Sequence, residues 1–206
     1  MRSTSCSRKT KETDITLSLE LLEAGRPGAF TGSSGIGFFD HMLTALCVHG
    51  NMNMNLSLAG DYEVDCHHSI EDLGIVFGTA FRQALGDAPL ARYGQSYVPM
   101  DECLCRSVID ISGRPYLVFH ADFKNQSIGA LDVCMVEEFF YAFTYSSKTT
   151  LHLEVLYGNN DHHKVEGLFK AFARSISQAM QPSAALLESS GRTMKNRPTS
   201  ASSTMR

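Results

Sequence analysis

The sequence predicts an α+β fold made of two fused copies of one half-domain. Three observations carry this. The pattern His-His-x-x-Glu occurs twice, as His67-His68-Ser69-Ile70-Glu71 and as His162-His163-Lys164-Val165-Glu166, 95 residues apart. Each copy opens a stretch with the apolar spacing of a long helix. The order helix, strand, helix recurs around both, which is an internal duplication at half-domain scale. The division this suggests is residues 1–93, residues 94–181, and a Ser-, Thr- and Lys/Arg-rich tail over 182–206 that is expected to be mobile.

The elements follow in chain order. Ile15, Leu17, Leu19 and Leu21 alternate with polar residues, the period of a strand. The glycine-rich stretch from Gly25 to Gly37 reads as a loop and matches no phosphate-cradling fingerprint. Phe38–Val48 predicts a helix closed by Gly50, and Met52–Leu58 a strand. A turn at Gly60-Asp61 leads to a long helix over His67–Leu85, ended by Gly86. After a loop around Pro89–Gly94, Asp101–Asp110 and Tyr116–Phe123 read as two strands joined by the tight turn Ser112-Gly113-Arg114-Pro115. A helix over Leu131–Ser146, a strand over Thr149–Tyr157 and a last helix over His162–Met180 complete the chain.

Composition narrows the function classes. With 206 residues, 43% of them apolar, and a net charge of -4, the chain has the material for a sizeable core and is not disordered in bulk. No apolar run approaches the roughly 18 residues of a membrane span. The start, Met1 to Lys9, has charge but no apolar stretch behind it, so it is not read as a secretory signal and the protein is expected in the cytoplasm. Lys+Arg 18 against Asp+Glu 22 leaves no basic footprint for nucleic acid. The six cysteines lack paired spacing and read as reduced thiols, with Cys47, Cys103 and Cys105 serving as packing residues.

The chemistry concentrates in the repeated motif. On a helix, His67 aligns with Glu71 at i,i+4 and His68 with Glu71 at i,i+3; the same holds for His162, His163 and Glu166. Imidazoles and a carboxylate from one turn suit a divalent transition metal such as Mn, Fe or Zn. Adjacent histidines point about 100° apart on a helix, so one pair can serve two metals. His41 precedes His67 by 26 residues, and Glu138 precedes His162 by 24, so the repeat makes Glu138 the counterpart of His41 and a candidate ligand with it. His-Glu-x-x-His, Gly-x-Ser-x-Gly and Walker patterns are absent, which argues against a zinc protease, an α/β-hydrolase and a P-loop enzyme. His49, His120 and His152 lie beside apolar residues and are expected to be structural. Arg92, Arg114 and Lys170 form a scattered basic set suited to an anionic group, above all a phosphate. Glu12, just before the first predicted strand, is unremarkable on its own.

Taken together, these residues resemble the imidazoleglycerol-phosphate dehydratase family, from about Lys9 to Met180. The likeness rests on Glu12-Thr13, Gly37-Phe38-Phe39-Asp40-His41-Met42-Leu43, His49-Gly50, Asp65-Cys66-His67-His68-Ser69-Ile70-Glu71-Asp72-Leu73-Gly74 and Arg92-Tyr93-Gly94. It continues through Val98-Pro99-Met100-Asp101-Glu102, Asp110-Ile111-Ser112-Gly113-Arg114-Pro115, Thr150-Leu151-His152, Asn160-Asp161-His162-His163-Lys164-Val165-Glu166 and Phe169-Lys170-Ala171.

The resemblance implies two fused halves, each a four-stranded sheet with two helices, of the ribosomal S5 domain 2-like kind. It implies a cage of 24 copies with sites between subunits, and two Mn2+ per site. The ligands it implies are His41, His67, His68, Glu71, His162, His163 and Glu166. The eighth position is a histidine in the family's Val-Glu-His-Phe motif, and here it is Glu138. Glu12 matches the family's base, and Arg92, Arg114 and Lys170 its phosphate contacts. In the tail, Ser189, Ser190 and Arg192 stand where the family carries a phosphate-binding Ser-Ser/Thr-Lys-Gly motif. The implied reaction is the dehydration of imidazole-glycerol phosphate to imidazole-acetol phosphate in histidine biosynthesis. Two other classes use the same residues: a di-metal hydrolase on this scaffold, and a metal-binding assembly protein with catalysis impaired by Glu138 and the altered tail.

Overall fold

The computed structural model describes residues 2–183; the tail, with Ser189, Ser190 and Arg192, lies outside the described residues. The first half runs β1 (Ser3–Lys9), β2 (Thr13–Leu21), β3 (Phe30–Ser33), α1 (Gly37–Gly50), β4 (Met52–Gly60) and α2 (His67–Leu85). Its sheet has the order β1-β2-β4-β3, with β3 parallel to β4 and the other pairs antiparallel. The second half runs β5 (Tyr93–Met100), β6 (Cys103–Asp110), β7 (Tyr116–His120), the short β8 (Ser127–Ile128) and β9 (Leu131–Asp132), α3 (Met135–Ser147), β10 (Thr150–Tyr157) and α4 (Asp161–Ala179). Its sheet has the order β5-β6-β10-β7, again with only the last pair parallel. The two halves therefore repeat one topology, with the β8–β9 hairpin as an addition in the second.

The core lies where the helices of one half meet those of the other. The inward residues of β2, Ile15, Leu17, Leu19 and Leu21, are all buried, as their alternation requires. Eight phenylalanines are fully buried, and Phe39, Phe139 and Phe169 join α1, α3 and α4 with ring centroids 5.2–5.8 Å apart. The tightest helix contacts run between halves: α2 lies on α3, and α1 on α4. Gly74 and Gly78, one helical turn apart on α2, make the first contact possible. A Cβ at Gly74 would sit 2.8 Å from the Phe139 carbonyl oxygen, and one at Gly78 2.5 Å from that of Phe143. The two sets of metal-type residues are carried on these paired helices.

Several sequence expectations need correction. The start of the chain is strand β1, paired along its length with β2. The glycine-rich stretch contains β3, and strand β5 runs from the end of the expected Pro89–Gly94 loop through residues 95–100, which the sequence reading assigns to no element. The turn Ser112–Pro115 does not close a hairpin, because β10 lies between β6 and β7. The helix expected from Leu131 begins at Met135, since Leu131 and Asp132 pair with β8. His120 and His152 are exposed and His49 is half-buried, so none of the three is a core histidine. Cys47, Cys103 and Cys105 are buried packing residues, with burial pushing the Cys47 and Cys105 thiols up to about 12. No helix among the described residues is long and apolar enough to cross a membrane.

Candidate metal centre

Both motifs begin at a helix start pinned by a side chain two residues ahead. Asp65 accepts the His67 N–H at 2.7 Å, and Asn160 that of His162 at 3.0 Å. These bonds satisfy donors that a helix N-terminus leaves open, and they fix where the histidines emerge.

In the second half the motif meets α1 of the first. His41, His162 and Glu166 converge, with one donor atom from each within 4.8 Å of the others. His162 Nε2 lies 3.3 Å from Glu166 Oε2, and His41 Nε2 lies 3.7 Å from it. Phe38 packs on the His162 ring at 4.9 Å between centroids. Glu166 is buried, which works to raise its carboxyl, but the Lys170 ammonium at 2.6 Å outweighs burial and holds it below its ordinary value. The cluster is thus an imidazole-rich corner around one buried carboxylate, built from both halves.

The corresponding corner is more open. His67 Nε2 lies 3.6 Å from Glu71 Oε2, with both side chains 43% exposed. Glu138 is half-buried on α3, the helix packed on α2. Its carboxylate does not join His67 and Glu71 in a cluster among the described residues.

The second histidine of each motif has a carboxylate partner of its own, and its ring centroid lies 6.0–6.1 Å from that of the first. His68 Nδ1 is 2.9 Å from Asp61 Oδ2, and His163 Nδ1 is 2.8 Å from Glu102 Oε2. Those bonds raise the pKa of both histidines, and the His163 bond is the first of several that hold Glu102 well below the usual carboxylate range. A carboxylate on Nδ1 fixes the ring and directs Nε2 outward, the support that metal-binding histidines generally have. His163 Nε2 also has Asp101 at 3.5 Å.

The remaining candidates separate into two places. Glu12 is exposed in the β1–β2 turn. Thr13 Oγ1 donates to Asp72 at 2.5 Å, which pins that turn beside the start of α2. Arg92 makes a two-pronged contact with Asp110 at 2.6 and 3.1 Å, and Arg114 lies 3.8 Å from the same carboxylate. Lys170 lies near Met100, at the other end of β5. Eight strand residues at roughly 3.3 Å each put these two basic places about 25 Å apart within one chain.

Comparison with known proteins decides the family. The family model described as imidazoleglycerol-phosphate dehydratase matches residues 34–176.

The chain belongs to the imidazoleglycerol-phosphate dehydratase family.

As such it is a hydro-lyase of histidine biosynthesis. Imidazoleglycerol-phosphate dehydratase of an Exiguobacterium strain is 49% identical over 181 residues, covering 87% of this chain and 91% of that protein. The Gluconobacter oxydans protein of the same name is 51% identical over 174 residues, 84% and 86% of the two chains. The crystal structure of the Staphylococcus aureus dehydratase superposes with a TM-score of 0.77 at 35% identity, over 88% of this chain and 99% of that one. That of Pyrococcus furiosus, in complex with (S)-C348, gives 0.73 at 31%, over 87% and 95%.

Sequence reading missed Asp61 as the carboxylate on His68 and Glu102 as the one on His163. It also missed the buried pair Asp161–Lys164 beneath the second motif, 2.9 Å apart. The repeat contained a signal for one of these: Glu102 immediately precedes β6 as Glu12 precedes β2.

Proposed function

We propose that the protein removes water from imidazole-glycerol phosphate to give imidazole-acetol phosphate, using two Mn2+ per site. The observation that carries this reading is the convergence of His41, His162 and Glu166 across the duplication, in a family of dehydratases. The donor set fits the metal. It mixes imidazole nitrogens with carboxylate oxygens, and His68 and His163 are each braced on Nδ1. His41, His67, His68, Glu71, Glu138, His162, His163 and Glu166 would hold the ions, which supply Lewis acidity toward the substrate's imidazole ring.

The chain's own groups do the rest. Arg92, Arg114 and Lys170 bind the phosphate, and so orient the glycerol side chain against the ring-binding residues. Glu12 takes the proton from the carbon next to the one that loses its hydroxyl, and water leaves. The enol that remains becomes the ketone. Lys170 also lies 2.6 Å from Glu166 and holds its carboxyl below the ordinary value.

The basic groups at opposite ends of β5 support a site completed by a second copy. One chain does not bring Arg92 and Arg114 to the same phosphate as Lys170, so in this reading a second copy supplies one of the two sets. The reading is therefore a homo-oligomer with sites between subunits, 24 copies in the cage, working in the cytoplasm on a small phosphate ester with no nucleic acid or membrane involved. The test is Glu12→Gln. Manganese content by elemental analysis should match the parent while turnover falls by about a hundredfold or more, the usual contribution of a general base. Full turnover in that variant would remove Glu12 from the role.

A further inference from the structure

The duplication sets two glutamates in one position, and only one of them is available for chemistry. Glu102 ends the β5–β6 turn as Glu12 ends the β1–β2 turn. The first residue of the following strand is Cys103 in one half and Thr13 in the other, and both turns lie against a His-His-x-x-Glu helix. Glu102 is fully engaged. Its Oε2 takes His163 Nδ1 at 2.8 Å, and its Oε1 accepts the N–H groups of Asn159 and Asn160 at 3.2 and 2.8 Å and the Cys103 thiol at 3.3 Å. Among the described residues Glu12 is bonded only through its backbone N–H, to Thr10 at 3.1 Å; its carboxylate has no partner.

The difference traces to the loops that lead into the two helices, six residues long before α2 and three before α4. Gly60-Asp61 closes β4 where Gly158-Asn159 follows β10. In the second half that position is a neutral Asn159, whose Oδ1 accepts from Lys124 at 3.1 Å, and His163 turns to the glutamate. In the first half it is Asp61, and Asp61 takes the histidine instead, at 2.9 Å. His68 is one helical turn from Asp72, which holds the Glu12 turn through Thr13. By the pattern of the second half, Glu12 is the carboxylate His68 would otherwise bind.

We propose that Asp61 is a positioning residue that holds His68 off Glu12 and so leaves the Glu12 carboxylate free to take the substrate proton. The inference rests on the reading of Glu12 as the base. His68 is the one side-chain partner of Asp61 among the described residues: its other oxygen, Oδ1, is buried without a hydrogen bond. Glu102, in contrast, ties down the loop before α4, so the two carboxylates braced on histidines are not equivalent.

The test uses the full-length protein saturated with Mn2+, in the variants Asp61→Ala, Asp61→Asn, Glu12→Gln and Asp61→Ala with Glu12→Gln. Asp61→Ala should lower kcat about tenfold or more with KM little changed, because it sequesters a base rather than a binding group. Asp61→Asn keeps an acceptor for His68 Nδ1 and should recover most of that loss. Added to Glu12→Gln, Asp61→Ala should cost nothing further, since the base is already gone. If Asp61 only tuned a metal ligand, saturating Mn2+ would restore Asp61→Ala, and that result overturns the proposal. A crystal structure of Asp61→Ala gives a readout free of activity: His68 bonded to Glu12 supports the proposal, and His68 in its parent position overturns it. A fully active Glu12→Gln would sink the base assignment itself, whereas an unmoved His68 sinks only the role of Asp61.

Discussion

Removing the Asp161 carboxylate should be among the most damaging single changes outside the phenylalanine core. Asp161 immediately precedes His162, and its side chain is 1% exposed, with that of Lys164 at 5%. Its Oδ1 accepts from Lys164 at 2.9 Å, and its Oδ2 accepts from the N–H groups of Lys124 and Asn125 and from the Asn125 amide, each at 2.8 Å. Burial works to raise this acid, yet Lys164 and the three N–H donors hold it down to about 2. The residue therefore clamps the segment before β8 onto the start of α4. Asp161→Ala strands the Lys164 ammonium with the Asp122 carbonyl at 2.6 Å as its partner. Breaking a buried pair from one side costs about 3–5 kcal/mol. For a chain of this size that lowers the melting temperature by about 10 °C. The assay is thermal unfolding followed by circular dichroism at one fixed protein concentration, since assembly makes melting concentration-dependent. Asp161→Asn with Lys164→Met keeps an acceptor for the loop and removes the stranded charge, so it should melt above Asp161→Ala. An Asp161→Ala protein melting within about 2 °C of the parent, well under the loss expected for a broken buried pair, would refute the reasoning, as would a double variant melting no higher than the single.

Two further outcomes follow from packing and from the phosphate set. Gly94→Ala places a Cβ 1.8 Å from the Ser175 carbonyl oxygen, backbone against backbone, so β5 and α4 must separate; a loss of about 3 kcal/mol in urea unfolding is expected, and an unchanged midpoint would contradict it. Arg92→Ala removes a guanidinium that already meets Asp110 in two places. Steady-state kinetics should show KM for imidazole-glycerol phosphate raised about tenfold or more with a smaller effect on kcat, and an unchanged KM would take Arg92 out of the phosphate set.

The parts of the fold that were legible in the sequence are those whose burial is written in large apolar side chains. Helix α2 has the expected bounds, His67–Leu85, because Ile70, Leu73, Phe77, Ala80 and Phe81 mark its buried face and Gly86 ends it. The strands that were missed bury little or bury small residues. β1 is an edge strand of Ser, Thr and Lys/Arg held by its pairing with β2, and no residue in it is fully buried. The inward residues of β5 begin with Gly94 and Ser96, small because α4 presses against them, so no apolar period shows. The Gly113-Arg114-Pro115 signal is a real turn, but local sequence does not say that β10 will come to lie between the strands it joins.

The site divides in the same way. His162 and Glu166 were legible because the repeat shows their pattern twice and helix spacing puts them on one face, and His41 because it stands at nearly the same distance before the first motif as Glu138 before the second. Asp61 and Glu102 sit in loops, 7 and 61 residues from the histidines they brace, and no periodicity connects them. The distance between Arg92 and Lys170 was equally invisible, since it depends on β5 lying along α4 with the two residues at opposite ends.

The proposed site is a manganese-dependent dehydratase centre. Its most direct test is turnover of imidazole-glycerol phosphate by purified, assembled protein that has been stripped of metal with a chelator and then refilled with Mn2+. The expected result is activity that disappears on stripping and returns with Mn2+, with imidazole-acetol phosphate as the product. Folded, assembled protein that binds Mn2+ and yields none of that product would contradict the account and favour a metal-binding role without catalysis, with Glu138 as the first residue to exchange for histidine.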